Sequence, residues 1–279
     1  MAKCLGVKFV LIEKRIFPDG EVCPRILGSI NNHCLLAERM KLPIDSNRYL
    51  IEILLTIKNL KYLGAKKIDL VMPYFVYSRQ DKIFRKGEPF SAQYVLELLE
   101  KARVNRFFTV SSHVDREREG ISLTKMPAYN IDGFEILGRY FKKLNLQNPI
   151  VVGSDFGVSK STKIISKILG VKDIAFEKHR DLKTGKITLK GKLTLKNKDL
   201  IIVDDIVSSG ETMLKVIDLA KRNRAKKIYS AVVHALNEKA IKLISKKVEK
   251  FVATDTIDSP ISKISVIEKI AEKIKELEF

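Results

Sequence analysis

Short apolar runs alternate along the chain with stretches in which apolar residues recur every three or four positions. "KKIDLVMP" (66–73) predicts a buried strand, and "NRYLIEILLTIKNLKYLGA" before it carries Ile53, Ile57 and Leu60 at helical spacing. "RFFTVSS" (106–112) predicts a second strand after the helix "SAQYVLELLEKA". "PIVVGS" (149–154), "DIAFEK" (173–178), "DLIIVDD" (199–205) and "KIYSAVVHA" (227–235) continue the series. Strands separated by helices predict an α/β fold with largely parallel sheets. "GAKKIDLVMPY" in the first half is echoed by "RAKKIYSAVVHA" in the second, and no low-complexity linker intervenes. Two α/β halves joined near "YFKKLNLQNP" (140–149) are therefore expected, with domains at 1–143 and 144–279.

Composition narrows the class. Among 279 residues 45% are apolar, but no apolar run is long enough to span a bilayer. The start, "MAKCLGVKFVLIEK", does not read as a signal peptide. Cys4, Cys23 and Cys34 have no metal-ligand spacing, which suits a reduced, cytoplasmic protein without a membrane partner. The formal net charge is +19, yet the lysines are dispersed and often stand beside glutamate. That pattern fits a solvated surface and small phosphorylated ligands better than specific nucleic-acid binding, which needs charge gathered on one face.

The candidate chemistry centres on "DLIIVDDIVSSGETM" (199–213). Ligands of open parallel sheets bind beyond the carboxyl ends of the strands, and Asp204 and Asp205 sit at such an end. Ser208, Ser209, Gly210, Glu211 and Thr212 then form a turn that opens a helix. Its backbone N–H groups and helix dipole make an anion cradle, with hydroxyls adding donors. The plainer alternative is an aspartate cap followed by a polar surface turn. It does not account for two carboxylates followed by five small or polar residues. A sugar phosphate has both a hydroxyl-rich part for the carboxylates and a phosphate for the loop.

"IIVDDIVSSGETM" resembles the phosphoribosyl-pyrophosphate signature shared by phosphoribosyltransferases and ribose-phosphate pyrophosphokinases. "RIFPDGEVCPRI" (15–26), "MPYFVYSRQDKIFRKGEPFSAQYVLELL" (72–99), "VSSHVD" (110–115), "VVGSDFGV" (151–158) and "FEKHRD" (176–181) favour the pyrophosphokinase family. The resemblance extends to about Val266. It implies two similar phosphoribosyltransferase-type domains, each a mainly parallel sheet flanked by helices, and transfer of a diphosphoryl group from ATP to ribose 5-phosphate. It implies that Phe17, Asp19, Gly20 and Glu21 form a turn over adenine that reaches a neighbouring subunit, so a homodimer or larger homo-oligomer is expected. Arg79, Gln80, Asp81 and His113 would hold ATP, and His113 and Asp155 would hold Mg²⁺. Lys178 and Arg180 would be catalytic, in a loop closing over the phosphates, with Arg180 also touching ribose 5-phosphate. Asp204, Asp205, Ser208, Ser209, Gly210, Glu211 and Thr212 would bind that sugar phosphate. No Gly-x-x-x-x-Gly-Lys-Ser/Thr motif is present, and "KTGKIT" lacks the earlier glycine, so nucleotide must be held without a P-loop.

The chain departs from the family pattern at several points. Ser111-Ser112-His113 replaces the usual Asp-Leu-His, which removes a carboxylate near the histidine. Ser154 stands where proline is usual, Val158 where glycine is usual, and His179 between the two catalytic cations. Ser208 occupies a position that is aspartate in many members. The first residues match the interior of the family's first helix, so the usual opening strand is missing and a neighbouring strand is expected at a sheet edge. A non-catalytic regulatory subunit is one alternative, against which stand Lys178, Arg180, His113 and Asp155. A nucleic-acid-binding regulator on the same fold is another; it would have no use for "FPDGE" or "SRQD".

Overall fold

The computed structural model describes residues 1–115, 119–154, 159–174, 177–180, 187–190 and 195–278, with the backbone alone at 159, 174, 177–180 and 187–190. They form two compact units, Met1–Met40 with Ile44–Ile131 and Val266–Phe279, and Lys41–Pro43 with Asp132–Ser265. Among the described residues no helix is long and apolar enough to cross a membrane.

The first unit opens with a short helix, α1 (Ala2–Leu5), and an antiparallel hairpin, β1 (Leu11–Ile16) and β2 (Val22–Leu27). There follow β3 (His33–Ala37), the two-residue β4 (Met40–Lys41), whose Lys41 counts with the second unit, α2 (Ser46–Tyr62), β5 (Lys67–Val71), α3 (Ser91–Lys101), β6 (Arg106–Val110) and β7 (Ala128–Ile131). The order β3-β5-β6-β7 makes a parallel four-stranded sheet, with β3 at one edge. A cavity of about 740 Å³ lies beside that edge, lined in part by Val7, Phe9, Leu35 and Leu36. The β6 strand is buried throughout and β5 beyond its first residue, so their apolar residues do not alternate, and the polar residues Asp69, Arg106 and Thr109 are buried with them. Asp45 caps α2 by accepting from the Arg48 N–H (2.9 Å), and Ile53, Ile57 and Leu60 are the buried face. Under the sheet, the fully buried Asp69 accepts from Arg106 Nη2 (2.5 Å) and is hydrogen-bonded to His33 Nε2 (2.8 Å).

The second unit runs through α4 (Gly133–Lys142), β8 (Ile150–Gly153), α5 (Ser159–Leu169) and β9 (Asp173–Ile174). An antiparallel ribbon follows, β10 (Glu177–Arg180) with β11 (Ile187–Lys190). Then come β12 (Asp199–Val207), α6 (Glu211–Arg222), β13 (Lys227–Ala235), α7 (Glu238–Ser245), β14 (Lys250–Thr254), β15 (Ile257–Asp258) and β16 (Ser262–Ile264). Its six-stranded parallel sheet has the order β16-β14-β13-β12-β8-β9. The mixed α/β class with parallel sheets is as expected.

The compact units are not cut at 143/144. Helix α4 belongs to the second unit, where Leu137 and Phe141 are buried and the Phe141 ring meets that of Tyr229 edge-on (6.5 Å). The last helix, α8 (Ile267–Glu276), belongs to the first. Its Ile270, Ala271 and Ile274 are buried, and Lys273 lies over the Tyr129 ring of β7 (6.0 Å). Arg106 Nη1 also donates to the Leu277 carbonyl (2.9 Å), tying the helix end to β6. The stretch "DIAFEK" also divides: Asp173–Ile174 joins the sheet edge, while Glu177 and Lys178 belong to the separate ribbon.

Candidate active site

In the six-stranded sheet the chain passes from β8 outward to β9 and then returns to β12 on the other side of β8. Such a reversal of strand order opens a crevice at the carboxyl ends of the two strands, and ligands bind there. Asp204 and Asp205 lie on β12 at this place, followed by residues 208–212. Asp205 is buried and Asp204 half-buried. One Asp204 oxygen, Oδ1, accepts from the Asp205 N–H (2.9 Å), and Oδ2 accepts from the Ser154 hydroxyl. Burial, and next the charge of Asp205, hold the Asp204 carboxyl well above the usual carboxylate range. Something supplied from outside, hydroxyl donors or a cation, would restore it as a full anion.

Beyond the pair, Gly210 is the N-cap of α6, with φ of 76° and no side-chain cap. The left-handed conformation suits glycine, and the space is closed as well. A Cβ would stand 3.1 Å from the Ala240 Cβ and 3.2 Å from Ile244 Cδ1. Ser209 Oγ accepts weakly from the Glu211 N–H (3.4 Å). Ser209 and Glu211 are exposed, and Ser208 and Thr212 half-buried. The first N–H groups of α6 thus face a polar, solvent-accessible loop at the positive end of the helix dipole.

Apart from Asp155, the remaining predicted residues fall at strand ends or turns of the first unit, or on the ribbon. Phe17, Asp19, Gly20 and Glu21 make the tip of the β1–β2 hairpin. The turn closes through Phe17 N–H to the Glu21 carbonyl (2.8 Å), Gly20 N–H to the Phe17 carbonyl (2.9 Å) and Glu21 N–H to Asp19 Oδ1 (3.1 Å). Gly20 has φ of 93°, and the Arg15 guanidinium covers the Phe17 ring at 4.5 Å. Arg79, Gln80 and Asp81 follow β5. Arg79 is exposed, whereas the Gln80 amide donates to Glu88 Oε2 (3.1 Å) and to the Lys82 carbonyl (3.2 Å). Asp81 Oδ1 is buried without a hydrogen-bond partner among the described residues.

His113 follows β6 and is half-buried. Around it the Ser112 N–H donates to Asn130 Oδ1 (2.8 Å), and Asp115 Oδ2 accepts from the Ser122 N–H (2.6 Å). Asp155 lies outside the described residues. Lys178 and Arg180 are on β10, opposite Leu189 and Ile187 of β11, so the segment assigned to a loop contains a strand pair. Sequence reasoning missed two contributors. Glu88 receives Gln80, for which "GEP" carried a family signal but no partner. Ser154 meets Asp204, and it had been visible merely as a departure from proline.

Residues 1–102 match the N-terminal domain of ribose phosphate pyrophosphokinase, and residues 86–265 match the phosphoribosyl transferase domain. The chain is 31% identical to the ribose-phosphate pyrophosphokinase of Thermococcus kodakarensis, covering 95% of this chain and 92% of that one. It is 33% identical to that of Pyrococcus furiosus, over 93% and 90% of the two chains. The fold is similar to the crystal structure of phosphoribosylpyrophosphate synthetase from Mycobacterium smegmatis, with a TM-score of 0.82, 25% identity, and 99% and 93% of the chains covered. With the two family models covering residues 1–265 between them and the relatives matched over 95% and 93% of this chain, the chain belongs to the ribose-phosphate pyrophosphokinase family.

Proposed function

We propose that this protein is a cytoplasmic enzyme that transfers the diphosphoryl group of ATP to O1 of ribose 5-phosphate, giving phosphoribosyl pyrophosphate and AMP. The observation that carries the reading is the acidic pair of β12 set directly before a glycine-started, uncapped helix at a strand-order reversal. One end of that arrangement accepts hydrogen bonds and the other donates them. A ribose with a 5-phosphate matches both.

Asp204 and Asp205 accept from ribose hydroxyls, while the 208–212 N–H groups and hydroxyls hold the 5-phosphate. With the sugar fixed at both ends, O1 is oriented to attack the β-phosphorus of ATP. The bond from that phosphorus to the α-phosphate oxygen breaks, and AMP leaves with the oxygen. Lys178 and Arg180 neutralise charge that develops on the transferring group. Arg79, Gln80 and Asp81 take the triphosphate and base. Phe17 stacks on adenine and Asp19 and Glu21 accept from its amino group, in the site of a second copy of the chain, so the working form is at least a homodimer.

Of the two residues expected to hold Mg²⁺, Asp155 supplies a carboxylate, the oxygen donor that this hard cation takes, and His113 a ring nitrogen. Among the described residues no group of three or more His, Cys, Asp or Glu could hold a metal ion. Mg²⁺ does not need such a cage, since it is commonly held by one or two carboxylates with water and substrate phosphates. His113 and Asp155 would hold it, and when bound it neutralises charge on the triphosphate. AMP release from ATP, Mg²⁺ and ribose 5-phosphate is the test. AMP that appears in step with phosphoribosyl pyrophosphate and ceases when the sugar phosphate is omitted supports the reading. No AMP, or AMP independent of the sugar, overturns it.

A further inference from the structure

We propose that Ser154 is a positioning residue for the sugar substrate, setting the Asp204 carboxylate through a hydroxyl hydrogen bond. The inference rests on the sugar-phosphate reading of β12 and deepens it. The β8 and β12 strands pair in parallel with Gly153 opposite Val203, so the residue that follows β8 comes level with Asp204. The Ser154 N–H donates to the Val203 carbonyl (3.0 Å), which fixes its backbone to β12, and the residue is 3% exposed. From that fixed point its hydroxyl reaches Asp204 Oδ2.

A carboxylate on a single-methylene stem turns easily about its last torsion, which has broad minima. Here the two oxygens are held separately, Oδ1 by the Asp205 N–H (2.9 Å) and Oδ2 by Ser154. The backbone donor is present whatever the side chains are. The second restraint depends on residue 154 alone, 50 positions away in sequence. Without it, Oδ2 loses its hydroxyl donor and the carboxylate can turn away from a sugar hydroxyl. The hydroxyl also favours the ionised form of a group that burial and Asp205 disfavour. Ser154 does not need to touch substrate for either effect.

The test uses the full-length protein with Ser154→Ala, Ser154→Thr, Asp204→Asn and the double variant Ser154→Ala/Asp204→Asn. Ribose 5-phosphate binding is measured by calorimetry, KM for both substrates by AMP release, and folding by thermal unfolding. Loss of a hydrogen bond to a charged group is expected to weaken ribose 5-phosphate binding roughly 10- to 100-fold. The ATP KM should stay within about twofold, Ser154→Thr should recover most of the loss, and Ser154→Ala should add little in the Asp204→Asn background. Equal loss for both substrates, or a loss in Ser154→Ala that persists undiminished beside Asp204→Asn, overturns the proposal. So does unchanged sugar binding in Ser154→Ala while the wild-type chain binds ribose 5-phosphate, and that outcome leaves the proposed function standing. A wild-type chain that does not bind ribose 5-phosphate overturns both.

Discussion

Replacing Gly210 with alanine probes the geometry of the phosphate loop and its use at once. The φ of 76° places residue 210 in the left-handed region, which costs an L-residue about 1–2 kcal/mol. The new methyl would stand 3.1 Å from the Ala240 Cβ, a short side chain on α7 that cannot swing aside, and 3.2 Å from Ile244 Cδ1. Overpacking of this kind costs about 1–3 kcal/mol. The two effects have separate causes and sum to roughly 2–5 kcal/mol. Relief requires the start of α6 to move away from α7, which carries residues 208–212 with it. Urea unfolding followed by far-UV circular dichroism gives the stability difference, and AMP release gives KM for each substrate. Gly210→Ala should lose stability by that amount and raise the ribose 5-phosphate KM much more than the ATP KM. A loss under about 1 kcal/mol would refute the crowding argument, being less than the backbone cost alone. A clear loss of stability with an unchanged sugar KM would refute the loop's role.

Asp204→Asn should weaken use of ribose 5-phosphate far more than ATP binding and stabilise the ligand-free protein near neutrality. Burial, then Asp205, raises the folded pKa of Asp204, so the folded state keeps a proton that the unfolded chain loses. The contribution of Asp204 is therefore undiminished below about pH 3.9 and falls as pH rises toward the raised value, by about 1.4 kcal/mol per pH unit. Thermal unfolding across that range should show the decline in the wild-type chain and a flatter profile in the variant; identical profiles would contradict it. Arg106→Ala should cost about 3–5 kcal/mol, because the fully buried Asp69 loses its strongest partner. A change under 1 kcal/mol in urea unfolding would count against that ion pair. Lys178→Ala should lower kcat about 10²- to 10³-fold with substrate affinities nearly intact, and near-normal turnover per folded molecule would remove its catalytic role.

The central strands were legible because both faces are covered. In β5, β6, β12 and β13 burial on both faces leaves adjacent apolar residues that do not alternate with polar ones, Leu200 to Val203 of β12 and Ala231 to Val233 of β13 among them, and such clusters are hard to mistake. The β1–β2 hairpin was not read as strands: it leaves Leu11, Ile16 and Leu27 exposed, so no buried face imposes a pattern. Helix α8 shows its apolar stripe, Ile270, Ala271 and Ile274, but a stripe does not state which sheet it will cover. At the site the same division holds. Asp204 through Thr212 are neighbours in sequence, and their chemistry is local. Ser154 and Asp204 meet through the register of β8 on β12, and Asp69 meets Arg106 and His33 through that of β5 with β6 and β3. Register follows from packing and cannot be read off either strand alone.

The return of α8 to the first unit bears on how the chain is made. Arg106 and the Leu277 carbonyl are separated by 171 positions, and the Asp132–Ser265 stretch of the second unit lies between them in sequence. While the intervening residues are unfolded, closing so long an excursion costs about 4–5 kcal/mol of chain entropy before any contact rewards it. On the ribosome, the six-stranded sheet is fully synthesised once Ile264 has emerged, while the sheet begun first still waits for its last helix. Until then, the β7 side of the earlier sheet lacks Ile270, Ala271 and Ile274, and incompletely covered surface of this kind is prone to aggregate. The half that is translated first is therefore the half that is finished last.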